Sequence, residues 1–244
     1  QSAEKSGLLG RVRTSLKEAG IDFVELGGVH PNPRYSLALE GMELARRENV
    51  DLILAVGGGS VVDSAKCIAA GALYEGDVWQ DLYIDKKSYD KALPVACILT
   101  IAAAGSEGSA GSVISNREVG IKEGIRTNDL LRPVLSILNP ELTMTLPAYQ
   151  TACGVTDMFI HLTERYFTNT PDVSLTDEMI EGLMRTILKY GIVCVKEPDN
   201  YNARAQIMWA GMLAHNNICG VDREQDWASH HIQHRIGAKY DSAH

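Results

Sequence analysis

Residues 51–66 read DLILAVGGGSVVDSAK. The first part, DLILAV, is an almost continuous apolar run, the pattern of a strand buried on both faces of a parallel sheet. Glycines and a serine follow, then a helical stretch from about Ser60 into the alanine-rich IAAGAL. A strand that turns through glycines into a helix leaves the first helical N–H groups free at the positive end of the dipole, which favours an anion such as a phosphate. Consecutive glycines allow positive φ and let a ligand approach the backbone closely. The turn is not a P-loop, because no GK[ST] closes it, and it is not GxGxxG. A tight βα turn with no ligand is the competing interpretation.

Working outward, the same alternation recurs. Ser6 can cap a helix running to about Ala19, with Gly20 as its stop. IDFVEL (21–26) reads as a strand, and GGVHPNPR after it as a loop stiffened by Pro31 and Pro33 around Asn32. A helix is expected over 34–48, a buried strand at LPVACIL (93–99), and shorter β segments at GSVIS (111–115) and VLSIL (134–138). Strands alternating with helices imply a parallel, Rossmann-like sheet with right-handed crossovers. The loop LTIAAAGSEGSAGSVISN (99–116) follows a strand end, where such sheets bind ligands, and offers the hydroxyls of Thr100, Ser106 and Ser109. Small polar composition is also what any loop shows. Lys122, taken alone, reads as a solvated lysine that could otherwise reach a phosphate.

From Leu146-Pro147 onward the pattern is helical, over about 147–167, 176–193, 202–217 and 226–240, with Asp177 and Glu178 in a first turn. The expected fold is therefore an α/β dinucleotide-binding domain over residues 1–142 and an all-α metal-binding domain over residues 143–244. Both ends look cut: the chain opens on a helix where this type of domain begins with a strand, and it stops at a proposed ligand.

That ligand belongs to a second constellation. Asp157 and His161 lie four residues apart in TACGVTDMFIHLTERYF (151–167), so a helix puts them on one face. A carboxylate on an apolar helix must be answered by a metal or a cation. The segment ASHHIQHRIGAKYDSAH (228–244) holds four of the seven histidines: His230, His231, His234 and His244. His230 and His234 share a face and His231 turns away. A straight helix would set His230 and His244 about 21 Å apart at ~1.5 Å per residue, so two ligands of one metal require a bend, and YDSA (240–243) is its expected place. One carboxylate and three imidazoles suit Fe²⁺ or Zn²⁺ with room for a substrate oxygen. A histidine-rich helix with ordinary core and surface roles is the alternative. His30 and His215 have no obvious partner and default to core or surface histidines. A metal beside a dinucleotide points to hydride transfer on an alcohol or carbonyl.

Bulk properties narrow the classes further. A net charge of −8 and the lack of a basic stripe argue against nucleic acid. No apolar run approaches the ~18–20 residues of a membrane span. QSAEKSGLLGRV has no signal-peptide core. The five cysteines (Cys67, Cys97, Cys153, Cys194, Cys219) are widely spaced and odd in number, which reads as buried free thiols in a reducing cytoplasm.

Taken together, PNPR, AVGGGSVVDSAK, LTIAAAGSEGSAGSVISN, LNPELTMTLPAYQTACGVTDMFIHLTERYF, NARAQIMWAGMLAHN and DWASHHIQHRIGAKYDSAH resemble the iron-containing (group III) alcohol dehydrogenase family, in its butanol dehydrogenase-like branch. The resemblance covers essentially the whole chain. It implies that Asp157, His161, His230 and His244 hold iron or zinc, and that His234 sits by nicotinamide and substrate and helps to move a proton. It implies that Gly58, Gly59, Ser60 and Asp63 hold the coenzyme pyrophosphate, and that Asn32, Thr100, Ser106, Ser109, Lys122 and Leu142 line the coenzyme site. The segment that reads the adenosine ribose has no counterpart here; the branch leans to NADP(H) over NAD(H). His231 stands where the branch usually has another polar residue. The implied reaction interconverts a short-chain aldehyde and a primary alcohol such as butanol, in an enzyme that can be a homo-oligomer such as a dimer. A zinc glycerol or polyol dehydrogenase, a dehydroquinate synthase-like relative and a non-catalytic metal- or nucleotide-binding fragment are the rivals.

Overall fold

The structure, a computed structural model, describes residues 2–242 and 244, with nothing stated for the side chain of Ser2. Two helices open it: α1 (Ser2–Lys5) and α2 (Leu8–Glu18). Gly7, at φ +76°, breaks what the pattern predicts as one helix, so Gly7 rather than Ser6 stands at the start of α2. The Ser6 hydroxyl instead donates back to the Ala3 carbonyl. Gly20, at φ +68°, is the expected stop.

Residues 21–26 are not a strand. The side chains have the right β character, but a ladder needs a neighbour. Ile21, Val24 and Leu26 stay exposed. The chain then passes the Pro31–Pro33 loop into α3 (Tyr35–Arg47), whose buried face is Ala38, Gly41, Met42 and Ala45.

β1 (Ile53–Gly57), α4 (Gly59–Leu73) and β2 (Val95–Leu99) form a βαβ unit, with Ile53 opposite Val95 and Gly57 opposite Leu99 in parallel register. All of β2 is buried because it is the central strand. β1 is only partly covered, against expectation, and Leu52 beside it is exposed: among the described residues no strand lies on its outer edge. A π-helical segment, Val78–Ile84, packs Trp79 and Tyr83 into the core between α4 and β2.

β3 (Val113–Asn116) and β4 (Ile121–Gly124) pair antiparallel as a hairpin. IKEG has too little apolar content to signal β4 on its own. β5 (Leu135–Ile137) then joins β2, giving the parallel order β1-β2-β5.

A 3-10 turn at Pro140–Thr143 ends the sheet region. Everything after it is helical: α5 (Ala148–Tyr166), α6 (Ser174–Lys196), α7 (Tyr201–His215) and α8 (Ala228–Tyr240). α6 starts two residues before the expected cap, which leaves only Asp177 in its first turn. The architecture is thus a parallel sheet with flanking helices followed by an all-helical region.

Each region has its own apolar core. One gathers α3, α4, β1 and β2; the other gathers α5, α6 and α7 with Leu99 and Ala102 from the sheet side. Small residues let the two meet. A Cβ on Gly154 of α5 would sit 2.5 Å from the Ala102 carbonyl, and one on Gly105, itself at φ +64°, would sit 2.6 Å from His215 Cβ on α7. Larger residues at either position would push the helices off the loop that follows β2. Among the described residues no helix is long and apolar enough to cross a membrane.

Candidate functional site

The geometry of α5 decides one half of the site. Asp157 and His161 lie one turn apart, with His161 Nε2 3.9 Å from Asp157 Oδ1. α8 crosses nearby and supplies His230, whose Nε2 is 3.4 Å from the same carboxylate oxygen. The chain then turns back, as the spacing requires. Asp241, at φ +54°, takes the left-handed conformation after α8, and His244 Nε2 returns to 3.9 Å from Asp157 Oδ1. Donor atoms of Asp157, His230 and His244 all lie within 4.8 Å of one another. His161 lies near the same oxygen but outside that three-residue group. Donors ~2.0–2.2 Å from a tetrahedral ion sit roughly 3.3–3.6 Å apart. The distances from Asp157 Oδ1 to the three imidazoles, 3.4–3.9 Å, are close to that range, while the donors of the three-residue group spread over as much as 4.8 Å and must draw together on a shared ion.

Neighbouring groups orient these rings. Glu164, one turn beyond His161 on α5, takes the His230 Nδ1 proton on one carboxylate oxygen and the His230 backbone N–H on the other, the latter at 3.1 Å. His230 Nε2 then faces Asp157 Oδ1 at 3.4 Å, buried and without a hydrogen bond of normal geometry. His244 Nδ1 lies 2.6 Å from Gln233 Oε1, which fixes the other tautomer choice in the same sense. His161 is held by stacking, 4.1 Å from the His215 ring and 4.6 Å from the His230 ring. Trp227 meets all three edge-on. An orphaned imidazole nitrogen beside a buried carboxylate, in a set of three imidazoles and one acid, is the donor chemistry of a divalent transition metal.

The charges agree with that geometry. Burial works to raise the Asp157 pKa, but the imidazoles of His161, His230 and His244 outweigh it and hold the carboxyl well below its usual range. Burial, with His215 beside it, drives His161 far below an ordinary histidine. Burial also lowers His244, to about 4 despite Asp157, and His234, to about 3, the latter helped by Lys122. His230 goes the other way: burial opposes it, but Asp157 and Glu164 raise it. His234 sits one turn after His230, its ring 5.8 Å from His244 and 6.5 Å from His230. His231 is exposed, as its place on the helix requires.

The glycine turn has a different character. α4 begins at Gly59 with Gly58 as its N-cap and no side-chain cap, so the first helical N–H groups have no partner within the helix. None of Gly57, Gly58 and Gly59 has positive φ, contrary to the expectation for a run of glycines. Space explains them instead. A Cβ on Gly57 would lie 2.5 Å from Val61 Cγ2, and one on Gly58 2.9 Å from Ile101 Cδ1.

The polar side chains expected at the cradle mostly bond one another. The Asp63 carboxylate accepts from the Ser106 hydroxyl and, at 3.0 Å, from the Val113 N–H. Lys66, fully buried, donates to the carbonyls of Ser106, Ser109 and Gly111 and to the Ser109 hydroxyl at 2.6–3.1 Å. Its burial lowers its pKa to about 8, against the pull of Asp63 and Glu107. Thr100 donates its N–H to Gly57, and Leu142 packs with Leu8 and Ile98.

Lys122 is not solvated. It is buried on β4, and its Nζ reaches Asn32 Oδ1 at 2.9 Å, Gln233 Oε1 at 3.1 Å and His244 Nδ1 at 3.4 Å. Asn32, also buried, is thereby joined through Lys122 to the histidine cluster. Sequence reasoning missed Glu164, Gln233 and the place of His215. Glu164 had a findable signal, since it lies i+3 from His161 on the ligand face of the same helix.

These features fall within matches to known proteins. The model of iron-containing alcohol dehydrogenases matches residues 1–140, and that of the Fe-containing alcohol dehydrogenase family, C-terminal, matches residues 151–244. NADH-dependent butanol dehydrogenase A of Clostridium acetobutylicum is 42% identical over 243 residues, which is 100% of this chain and 62% of that protein. NADPH-dependent aldehyde reductase YqhD of Escherichia coli is 40% identical over 245 residues, with the same two shares. The crystal structure of NADH-dependent butanol dehydrogenase A from Thermotoga maritima is similar with a TM-score of 0.95 at 43% identity, over 99% of this chain and 60% of that one. The chain therefore spans 62% of the length of the curated relatives it matches. It belongs to the iron-containing alcohol dehydrogenase family.

Proposed function

We propose that this chain is the coenzyme- and metal-binding part of an alcohol dehydrogenase or aldehyde reductase. It would transfer a hydride between NAD(P)H and a short-chain aldehyde or primary alcohol such as butanol. The observation that carries this is the orphaned His230 Nε2, 3.4 Å from Asp157 Oδ1 and ringed by two further imidazoles. Asp157, His161, His230 and His244 would hold Fe²⁺, with Zn²⁺ as the alternative. When bound, the ion supplies Lewis-acid stabilisation of the charge that develops on the substrate oxygen.

The remaining roles belong to the chain. Glu164 and Gln233 keep the two imidazoles of His230 and His244 turned to one point. The His215–His161–His230 stack excludes water from the inner side. His234, one turn from His230 and beside His244, is placed to pass a proton between substrate oxygen and solvent. The uncapped start of α4 at Gly58, Gly59 and Ser60 would receive the coenzyme pyrophosphate. We place the division between nucleotide and metal domains at residue 142, next to the turn that ends the sheet region. NADP(H) is our first choice of coenzyme; named relatives use NADH in one case and NADPH in another. A cytoplasmic location is supported by five cysteines free of disulfides.

The test uses the protein extended to the full length of its relatives. Iron and zinc content are measured alongside NADH and NADPH oxidation with butyraldehyde and with a vicinal-diol panel. Metal at one equivalent with aldehyde-dependent turnover supports the proposal. Full turnover in protein stripped of metal overturns it, and a preference for vicinal diols favours the polyol dehydrogenase.

A further inference from the structure

His244 is the ligand with the weakest local support. His161 and Asp157 are fixed by α5, and His230 by α8 and Glu164. His244 follows the end of α8 and reaches the cluster only because the backbone reverses at Asp241. Three side chains from the sheet half converge on that reversal. Asn32 Nδ2 donates to Asp241 Oδ1 and to the Ser242 carbonyl, both at 3.0 Å. Arg34 donates to Asp241 Oδ2 at 2.7 Å, and Arg117 to Asp241 Oδ1 at 2.8 Å and to the Ala238 carbonyl at 3.2 Å.

These donors are themselves anchored. The Ser115 N–H of β3 donates to the Pro33 carbonyl at 2.8 Å, and Arg34 bridges to Ser115, so the loop bearing Asn32 and Arg34 is tied to the hairpin. Pro31 and Pro33 restrict it further. Lys122 on β4 joins Asn32 Oδ1 to Gln233 and His244 from beneath.

We propose that Asp241 is a positioning residue for the metal site: its carboxylate, held by Asn32, Arg34 and Arg117, fixes the reversal that delivers His244 to Asp157. The inference rests on the ligand assignment above. Asp241 is 42% exposed, and exposed ion pairs contribute little to global stability. Its effect therefore falls on where His244 points rather than on whether the chain folds. An Asp in the left-handed region is tolerated there because its short polar side chain bonds locally, and glycine adopts the same backbone freely.

That equivalence supplies the experiment. Co²⁺ is titrated into the metal-free chain, and into D241G, the double variant R34Q/R117Q and H230A, reading the visible d–d bands and competition with a chelator. Thermal unfolding of each metal-free protein is recorded in parallel. D241G keeps the reversed backbone and loses only the carboxylate; Co²⁺ affinity is expected to fall about 10–100-fold, as for other residues that support ligands, with altered d–d intensities and a nearly unchanged melting temperature. R34Q/R117Q is expected to show the same pattern with Asp241 in place. Wild-type affinity and spectrum in D241G, while H230A loses binding, overturn the proposal. A large drop in metal-free melting temperature with Co²⁺ affinity unchanged assigns Asp241 to folding and overturns it too. A wild-type chain that takes up no Co²⁺ overturns the ligand assignment itself, and the positioning role with it.

Discussion

The histidine cluster and the glycine turn differ in what completes their polar groups. Around Asp157 the side chains converge but do not finish one another, and His230 Nε2 is buried without a hydrogen-bond partner. Around α4 the reverse holds. Asp63, Lys66, Ser106 and Ser109 form a closed set of hydrogen bonds that ties the loop after β2 to the helix. What remains open there is backbone: the start of α4, made narrow by glycines. Side chains thus leave donor atoms open in one region and satisfy one another in the other. A polar residue conspicuous in the sequence can belong to either.

Substitutions at His230 and Lys66 separate the two cases most sharply. His230→Ala is expected to abolish metal uptake, read by elemental analysis, with little change in the urea midpoint of the metal-free protein. Lys66→Ala is expected to leave the Asp63 carboxylate and several carbonyls buried without their cation, costing about 3–5 kcal/mol in urea unfolding, while its folded fraction still takes up metal. If His230→Ala unfolds the chain, or folded Lys66→Ala binds no metal, the contrast between the regions is wrong.

A smaller effect is expected at Glu164. Glu164→Gln keeps the shape but weakens the hold on the His230 Nδ1 proton; metal affinity should drop by about 10–100-fold, measured by chelator competition. An unchanged affinity would remove Glu164 from the site.

The mildest probe is pH. Burial pushes the Glu107 carboxyl up to about 7 from an ordinary 4.5, although Lys66 pulls it down. Between those values the folded chain keeps a proton that the unfolded chain has released, so this group's contribution to stability falls as pH rises from about 4.5 to about 7. Glu107→Gln should flatten that limb of a stability–pH curve. A slope identical to wild type would show that the loop core is wetter than its burial implies.

Much of this organisation was legible in the sequence, and the exceptions share a cause. The βαβ unit and the four later helices follow from apolar periodicity, which depends only on neighbours along the chain. The proposed ligand set draws on the i,i+4 spacing of Asp157 and His161, on the family resemblance for the choice of His230 and His244, and on a reversal before His244, which Asp241 provides. Residues 21–26 carry the side chains of a strand without a ladder partner among the described residues. β4 is polar and exists because β3 lies beside it. Gln233, His215 and the burial of Lys122 depend on groups up to 122 residues away in the chain. No local pattern reports such contacts. The glycine turn departs from the expectation of positive φ: crowding by Val61 and Ile101 is what keeps Gly57 and Gly58 without side chains.

The exposure of the four side chains proposed as ligands is graded: 3% for His161, 9% for Asp157, 11% for His230 and 30% for His244. The innermost ring is wedged between two others, His215 and His230. An ion held by these groups would be shielded most by His161 and least by His244.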